Sequence, residues 1–280
     1  MRIEGAKILV TGASSGIGAA LAPILAERGA TVGIVARRAD RLAEVLERCR
    51  AFAPGSRSWA ADLGDLERAE QVALEAWDEL GGLDVLVNNA AIPKRTRVTD
   101  LTARDVQHVM DVDFHSPVRM GLVLLPRMLE RGRGQIVFVS SMGGRIPIAN
   151  EAAYNAAKYA MCGFAEAMVL DLAGTPVEVK LVLPGPIETE IWDQPDNVPA
   201  LIDVDKVPAA DCAAGIADAI AGDGFEYYIP AVFPGGIDAK AIAVGKTEHC
   251  DQYLRGMADF ASELRKRELR KSELRKPGTP

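Results

Sequence analysis

Tyr154 and Lys158 stand four residues apart, and Ser141 lies thirteen residues before the tyrosine. On a helix the i and i+4 side chains are neighbours on one face, so this spacing brings a phenol beside an ammonium. A free phenol titrates near pH ~10 and is a poor base at neutral pH. A neighbouring cation favours the phenolate, so the pair is expected to lower that value and let Tyr154 trade a proton. A serine hydroxyl close by can bond an oxygen as charge develops on it. A Tyr-x-x-x-Lys pair alone is common on protein surfaces, and its weight depends on what else the chain carries.

A second group of residues suits a dinucleotide. The string Thr11-Gly12-Ala13-Ser14-Ser15-Gly16-Ile17-Gly18 follows a short apolar run and opens a helical pattern. Glycines permit a tight turn and let backbone N–H groups approach a pyrophosphate, and the helix N-terminus adds partial positive charge. The next apolar run ends at Ala36 and is followed by Arg37-Arg38. An acidic residue there would take the ribose hydroxyls of NAD. None is present, and guanidinium groups suit a 2′-phosphate. The expected cofactor is NADP(H), with Arg37 the main contact and Ser14 or Arg38 assisting, one arginine of the two being a solvated helix-start residue.

These residues are spread over an alternation of short apolar runs and longer helical patterns. Strands are expected at 6–11, 31–36, 57–60, 83–87, 135–140, 177–183 and 227–231. Helices are expected at 17–29, 40–52, 65–80, 102–129, 151–172 and 209–221, with Pro117 kinking or dividing the fourth. Near-continuous apolar strands separated by helices imply an α/β fold, a parallel sheet covered on both faces, with the ligand outside the carboxyl ends of the strands. One domain is expected over 1–245, with an irregular stretch at 190–208, followed by a basic helical extension at 246–280. Phe233–Gly236 reads as loop.

The spacing in TGASSGIG, with Ser141, Tyr154 and Lys158 downstream, resembles the short-chain dehydrogenase/reductase family, and the resemblance runs over residues 6–231. It implies a single Rossmann-type, doubly wound, seven-stranded sheet of order 3-2-1-4-5-6-7. It also implies homodimers or homotetramers through the two long helices after the fourth and fifth strands. Ser141, Tyr154 and Lys158 would be catalytic, with Tyr154 relaying the proton, hydride passing to or from the nicotinamide, and Lys158 holding the ribose. Gly12, Ser14, Ser15, Gly16, Ile17 and Gly18 would cradle phosphate. Asp62, with Leu63, would meet the adenine. Asn88 and Ala90 would line the cofactor, in a stretch where Ala91 stands for the family's usual glycine. Pro184, Gly185, Ile187 and Thr189 would hold the carboxamide. One departure concerns the family's fourth catalytic residue, an asparagine, whose place is taken by Asp113 in Asp111-Val112-Asp113-Phe114. An aspartate accepts hydrogen bonds, donates only when protonated, and would pair with Lys158. Activity is expected to survive with a shifted pH optimum.

The stretch 190–208, which the resemblance implies is a mobile lid over the substrate, holds Ile191, Trp192, Pro195, Val198, Pro199, Leu201, Ile202 and Val204. Such a surface suits a small lipophilic carbonyl or alcohol substrate, or simply packs the lid down. The net charge of −7 divides into an acidic body and a basic tail from residue 262 on, and the acidic body argues against nucleic acid as partner. No apolar run approaches the ~18 residues of a membrane span, and four scattered cysteines suit a reducing compartment, so a cytoplasmic location is expected. His108, His115 and His249 are too dispersed for a metal site. In the tail, Tyr253, Met257, Phe260 and Leu264 recur at helical spacing, whereas the later five-residue repeat cannot align a coiled-coil seam, leaving a solvated charged helix. The alternative function is a catalytically silent NADP(H)-binding sensor or scaffold, which Asp113 keeps open.

Overall fold

A computed structural model describes residues 1–201 and 204–274, with side chains to 266. In chain order the elements are β1 (Lys7–Thr11), α1 (Gly16–Glu27), β2 (Thr31–Ala36), α2 (Ala39–Arg50), β3 (Arg57–Ala60), α3 (Leu66–Leu80) and β4 (Val85–Asn88). Then come α4 (Ala103–Met110), a π-helical turn (Asp111–His115), α5 (Ser116–Arg131), β5 (Gly134–Val139), a 3-10 turn (Met142–Gly144), α6 (Ala152–Asp171) and β6 (Val177–Pro184). The remainder is β7 (Ile187–Glu188), a 3-10 turn (Glu190–Asp193), β8 (Val207–Pro208), α7 (Ala209–Ala221), β9 (Glu226–Ile229), β10 (Val232–Phe233), β11 (Ile237–Asp238), α8 (Ala239–Glu248) and α9 (Cys250–Leu274).

The main sheet has the order β3-β2-β1-β4-β5-β6-β9 with every pairing parallel, as expected. Successive strand residues point to opposite faces. Val10, Ile34 and Val87 face one way, onto Leu21, Leu25 and Ile216. Leu9, Leu86 and Phe138 face the other way, onto Met120, Leu124 and Met161. Both faces are dry, so the strands read as unbroken apolar runs. The chain leaves β1 toward β2 on one side and later returns to β4 on the other, and the split opens a crevice at the carboxyl ends of both strands.

Pro117 divides the fourth helix. Proline has no N–H to give the carbonyl four residues back, and the ladder widens into the π turn immediately before α5. Some features were not legible in sequence. Ile187–Glu188 pairs with Val207–Pro208, and Phe233–Gly236, expected as loop, forms part of a small antiparallel hairpin in which Val232 and Phe233 pair with Asp238 and Ile237. The expected boundary at 245 falls inside α8. The α9 helix is not wholly solvated, because Ala261 is buried and Arg265 donates to Asn150 Oδ1 at 3.4 Å. Side chains of the five-residue repeat beyond 266 lie outside the described residues.

Candidate active site

A cavity of about 660 Å³ lies at the carboxyl ends of the central strands. The β1–α1 loop brings Gly12, Ser14, Ser15, Gly16 and Ile17 to its wall. Gly12 has φ +68°, and a Cβ there would sit 2.7 Å from the Ala90 backbone, so only glycine lets the loop close on β4. Gly18 lies outside the wall and serves packing, since a Cβ on it would come 2.5 Å from the Gly12 carbonyl. Thr11 ties the two strand ends together: its Oγ1 donates to the Val87 carbonyl and accepts from the Asn89 and Ala90 N–H groups.

Arg37 and Arg38 reach the same cavity from the end of β2, and Asp62 and Leu63 from the end of β3. Arg37 is exposed. Arg38 is the organised one: it donates to Ser15 Oγ at 2.7 Å and Ser14 Oγ at 3.3 Å, and pairs with Glu190 at 3.0 Å. Asp62 accepts from the Gly64 N–H at 3.0 Å and fixes its own turn. From β4, Ala90 lines the cavity, but its neighbour there is Asn89 rather than Asn88. Strand alternation explains this, because Asn88 is the last residue of β4 and its side chain is buried in the sheet with neither amide atom partnered. Pro184, Gly185, Ile187 and Thr189 close the wall after β6.

Ser141, Tyr154 and Lys158 converge on one side. Ser141 accepts the Gly143 N–H at 3.0 Å, which fixes the hydroxyl and leaves its proton free, and it hydrogen-bonds the Tyr154 phenol. Lys158 Nζ lies 5.4 Å from the Tyr154 ring centroid and bonds the Val139 carbonyl at 3.4 Å. Asp113, on the π turn behind the wall, accepts the Ile92 N–H at 2.8 Å and stands 3.5 Å from Lys158 Nζ, an ion pair without an aligned hydrogen bond. Both side chains of this pair are at most 1% exposed.

The electrostatics reverse one expectation. Burial, then the Asp113 charge, then the Glu151 charge push the Tyr154 phenol up from its ordinary value, and the Ser141 hydrogen bond only partly opposes them. Burial likewise pushes the Asp113 carboxyl up to about 6, against the pull of Lys158 and the Ile92 N–H. Since Asp113 raises the phenol, Asp113→Asn is expected to move the rise of alcohol oxidation with pH to lower pH and to erase an inflection near pH 6. Overlapping pH–rate profiles for the native chain and the variant would take Asp113 out of the proton chain.

Sequence reasoning missed the residues that hold the lid. Arg95, buried, bonds the carbonyls of Trp192 and Val198 and lies 3.8 Å from Glu151. Trp192 has the Arg95 guanidinium and the Lys206 ammonium each 5.2 Å from its ring, and its indole N–H donates to the Ile187 carbonyl. No periodicity marks Arg95 or Glu151; only the fold brings them to the lid.

A Rossmann sheet with a serine, a tyrosine and a lysine gathered beside a glycine-rich phosphate loop defines a class of alcohol and carbonyl oxidoreductases. Residues 6–197 match the model of the short chain dehydrogenase family. The chain belongs to that family and is an oxidoreductase acting on CH–OH and C=O groups. Among relatives, the 3-oxoacyl-(acyl-carrier-protein) reductase FabG of Vibrio cholerae is 33% identical over 209 residues, 75% of this chain and 84% of that protein. A hydroxysteroid 11-beta-dehydrogenase 1-like protein of Xenopus tropicalis is 32% identical over 233 residues, 81% and 80% of the two chains. A short chain dehydrogenase of Burkholderia cenocepacia solved with NADP superposes with TM-score 0.74 at 27% identity, covering 92% of this chain and 98% of its own. One from Burkholderia phymatum solved with NAD gives TM-score 0.79 at 24% identity, covering 90% and 96%, a likeness of fold.

Proposed function

We propose that this chain is an NADP(H)-dependent reductase, reversible as a dehydrogenase, of a small lipophilic carbonyl or alcohol compound. The observation that carries the reading is the convergence of Ser141, Tyr154 and Lys158 on the cavity that the phosphate loop lines. The residues present suit a dinucleotide: Gly12 lets the phosphate loop close on the end of β4, Ser14 and Ser15 supply hydroxyls on that loop, and Arg37 and Arg38 supply guanidinium donors at the position where an NAD site carries an acid. The phosphate loop would hold the pyrophosphate, Asp62 and Leu63 the adenine, Ala90 the adjoining wall, Lys158 the ribose, and Pro184, Gly185, Ile187 and Thr189 the carboxamide.

The bound nicotinamide supplies or accepts the hydride. Ser141, oriented by the Gly143 N–H, donates to the substrate oxygen. Tyr154 gives its proton to that oxygen in reduction and takes it back in oxidation. With the phenol held protonated by burial and two carboxylates, reduction is the direction suited to neutral pH. Asp113 anchors Lys158 from behind and fixes the loop after β4 at Ile92.

Apolar lid residues Ile191, Trp192, Leu201 and Val204 face the cavity, which supports a lipophilic substrate, as do relatives named for oxoacyl and hydroxysteroid compounds. Leu122 and Leu129 on α5 and Leu170 on α6 are exposed, which suits a homodimer or homotetramer through these helices. Among the described residues no helix is long and apolar enough to cross a membrane, and four free thiols suit the cytoplasm. Residues 1–245 would carry the chemistry, with α9 as a helical extension beyond them.

The second reading, a silent NADP(H) sensor, draws on Asp113 and the phenol it raises. NADPH consumption over a panel of ketones and aldehydes, with NADH alongside, separates the two. Turnover with NADPH on an apolar ketone is expected; tight NADPH binding without turnover across the panel would favour the sensor.

A further inference from the structure

Glu190, the first residue of the lid turn, carries its side chain to the start of α2. Its carboxylate lies across the adenosine end of the cavity, with Oε2 3.0 Å from Arg38 Nη1 and Oε1 against Arg41 Nη1. The same Arg38 guanidinium is held by Ser14 and Ser15. The two guanidiniums keep the Glu190 carboxyl below its usual range. Two guanidiniums around one carboxylate, one of them steadied by two serine hydroxyls, form a donor set suited to a phosphate dianion, and the carboxylate is the anion now filling it.

We propose that Glu190 is a specificity-determining residue: its carboxylate occupies the 2′-phosphate subsite and must be displaced when NADP(H), rather than NAD(H), binds. The inference rests on the NADP(H) reading above and adds to it that the chain limits its own preference for the phosphorylated cofactor. Displacement also frees the lid at its root. Glu190 begins the turn that carries Trp192, and Gln194 Nε2 donates to the Glu190 carbonyl at 2.8 Å, so the carboxylate and the substrate-side indole belong to one small unit. A cofactor lacking the 2′-phosphate leaves that unit pinned to Arg38 and Arg41.

The test is the ratio of NADH to NADPH dissociation constants, measured by isothermal titration on the full native chain, on Glu190→Gln and on Asp193→Asn. The last variant removes an exposed acid from the same turn and controls for net charge. Exposed ion pairs are individually weak, so Glu190→Gln is expected to raise the ratio about fivefold, through tighter NADPH binding with NADH unchanged. Asp193→Asn should leave the ratio as in the native chain. A preference for NADPH that is the same in the native chain and Glu190→Gln, or that moves equally in Asp193→Asn, overturns the Glu190 inference and leaves the cofactor reading standing. NADPH binding no tighter than NADH in both the native chain and Glu190→Gln overturns the cofactor reading itself.

Discussion

Tyr154→Phe is expected to lower kcat by about 10³-fold, within the range a positioned proton donor supplies, while NADPH binding stays within about threefold of native. The substitution removes one oxygen. The ring, with Lys158 Nζ 5.4 Å from its centroid, keeps its place on α6. Ser141 still accepts the Gly143 N–H and can still donate to a substrate oxygen, so binding persists where proton transfer does not. Folding should change little, since losing one hydrogen bond costs about 1 kcal/mol. Steady-state rates beside NADPH titration and a melting curve separate these effects. A phenylalanine variant retaining a tenth or more of native kcat would falsify the role given to the phenol.

Lys158→Met is expected to remove activity and to cost stability in a pH-dependent way. It strands Asp113, 0% exposed, without its cation. The Asp113 carboxyl already stands near 6 against an ordinary 3.8, and losing the ammonium lets burial raise it further. A carboxyl raised on folding contributes most below its unfolded value and loses that contribution as pH climbs toward its folded value. In the native chain the decline ends near pH 6. In Lys158→Met it continues to pH 8, within the range documented for buried carboxyls. Two further pH units amount to about 3 kcal/mol, in line with the cost of breaking a buried ion pair, and correspond to a loss of roughly 6–10 °C in Tm. Lys158→Met/Asp113→Asn should recover most of this at pH 8 and none of the activity. Melting curves at pH 6 and pH 8 decide the matter: a Lys158→Met variant that melts with the native chain at both leaves the pair without the structural role described here.

The strands and most helices were legible because their signals are local. Thr31–Ala36 and Arg57–Ala60 are short runs bounded by turn residues, and the glycine loop declares itself by following one strand and opening a helix. The i, i+4 spacing of Tyr154 and Lys158 needed only the helix to become a shared face. The two-residue pairings β7–β8 and β10–β11 left no such signal, being too short to show alternation. Asn88 was expected beside the cofactor, whereas the pleat of β4 turns its side chain into the sheet and Asn89 lines the cavity.

The sequence by itself determined which groups could do chemistry: a phosphate-binding turn, a basic end to β2, and a hydroxyl–phenol–ammonium set at fixed spacings. Only the tertiary structure decided how those groups are charged and which partners they have. Asp113 lies 45 residues before Lys158 in the chain and 3.5 Å from it in space. That proximity makes Lys158 half of a buried ion pair. Arg38, and not Arg37, is fastened to the phosphate loop because a lid residue 152 positions away draws it there. Spacing along a helix is set by local geometry, whereas Coulomb energy and desolvation depend on distances through the folded interior, which the order of residues does not state.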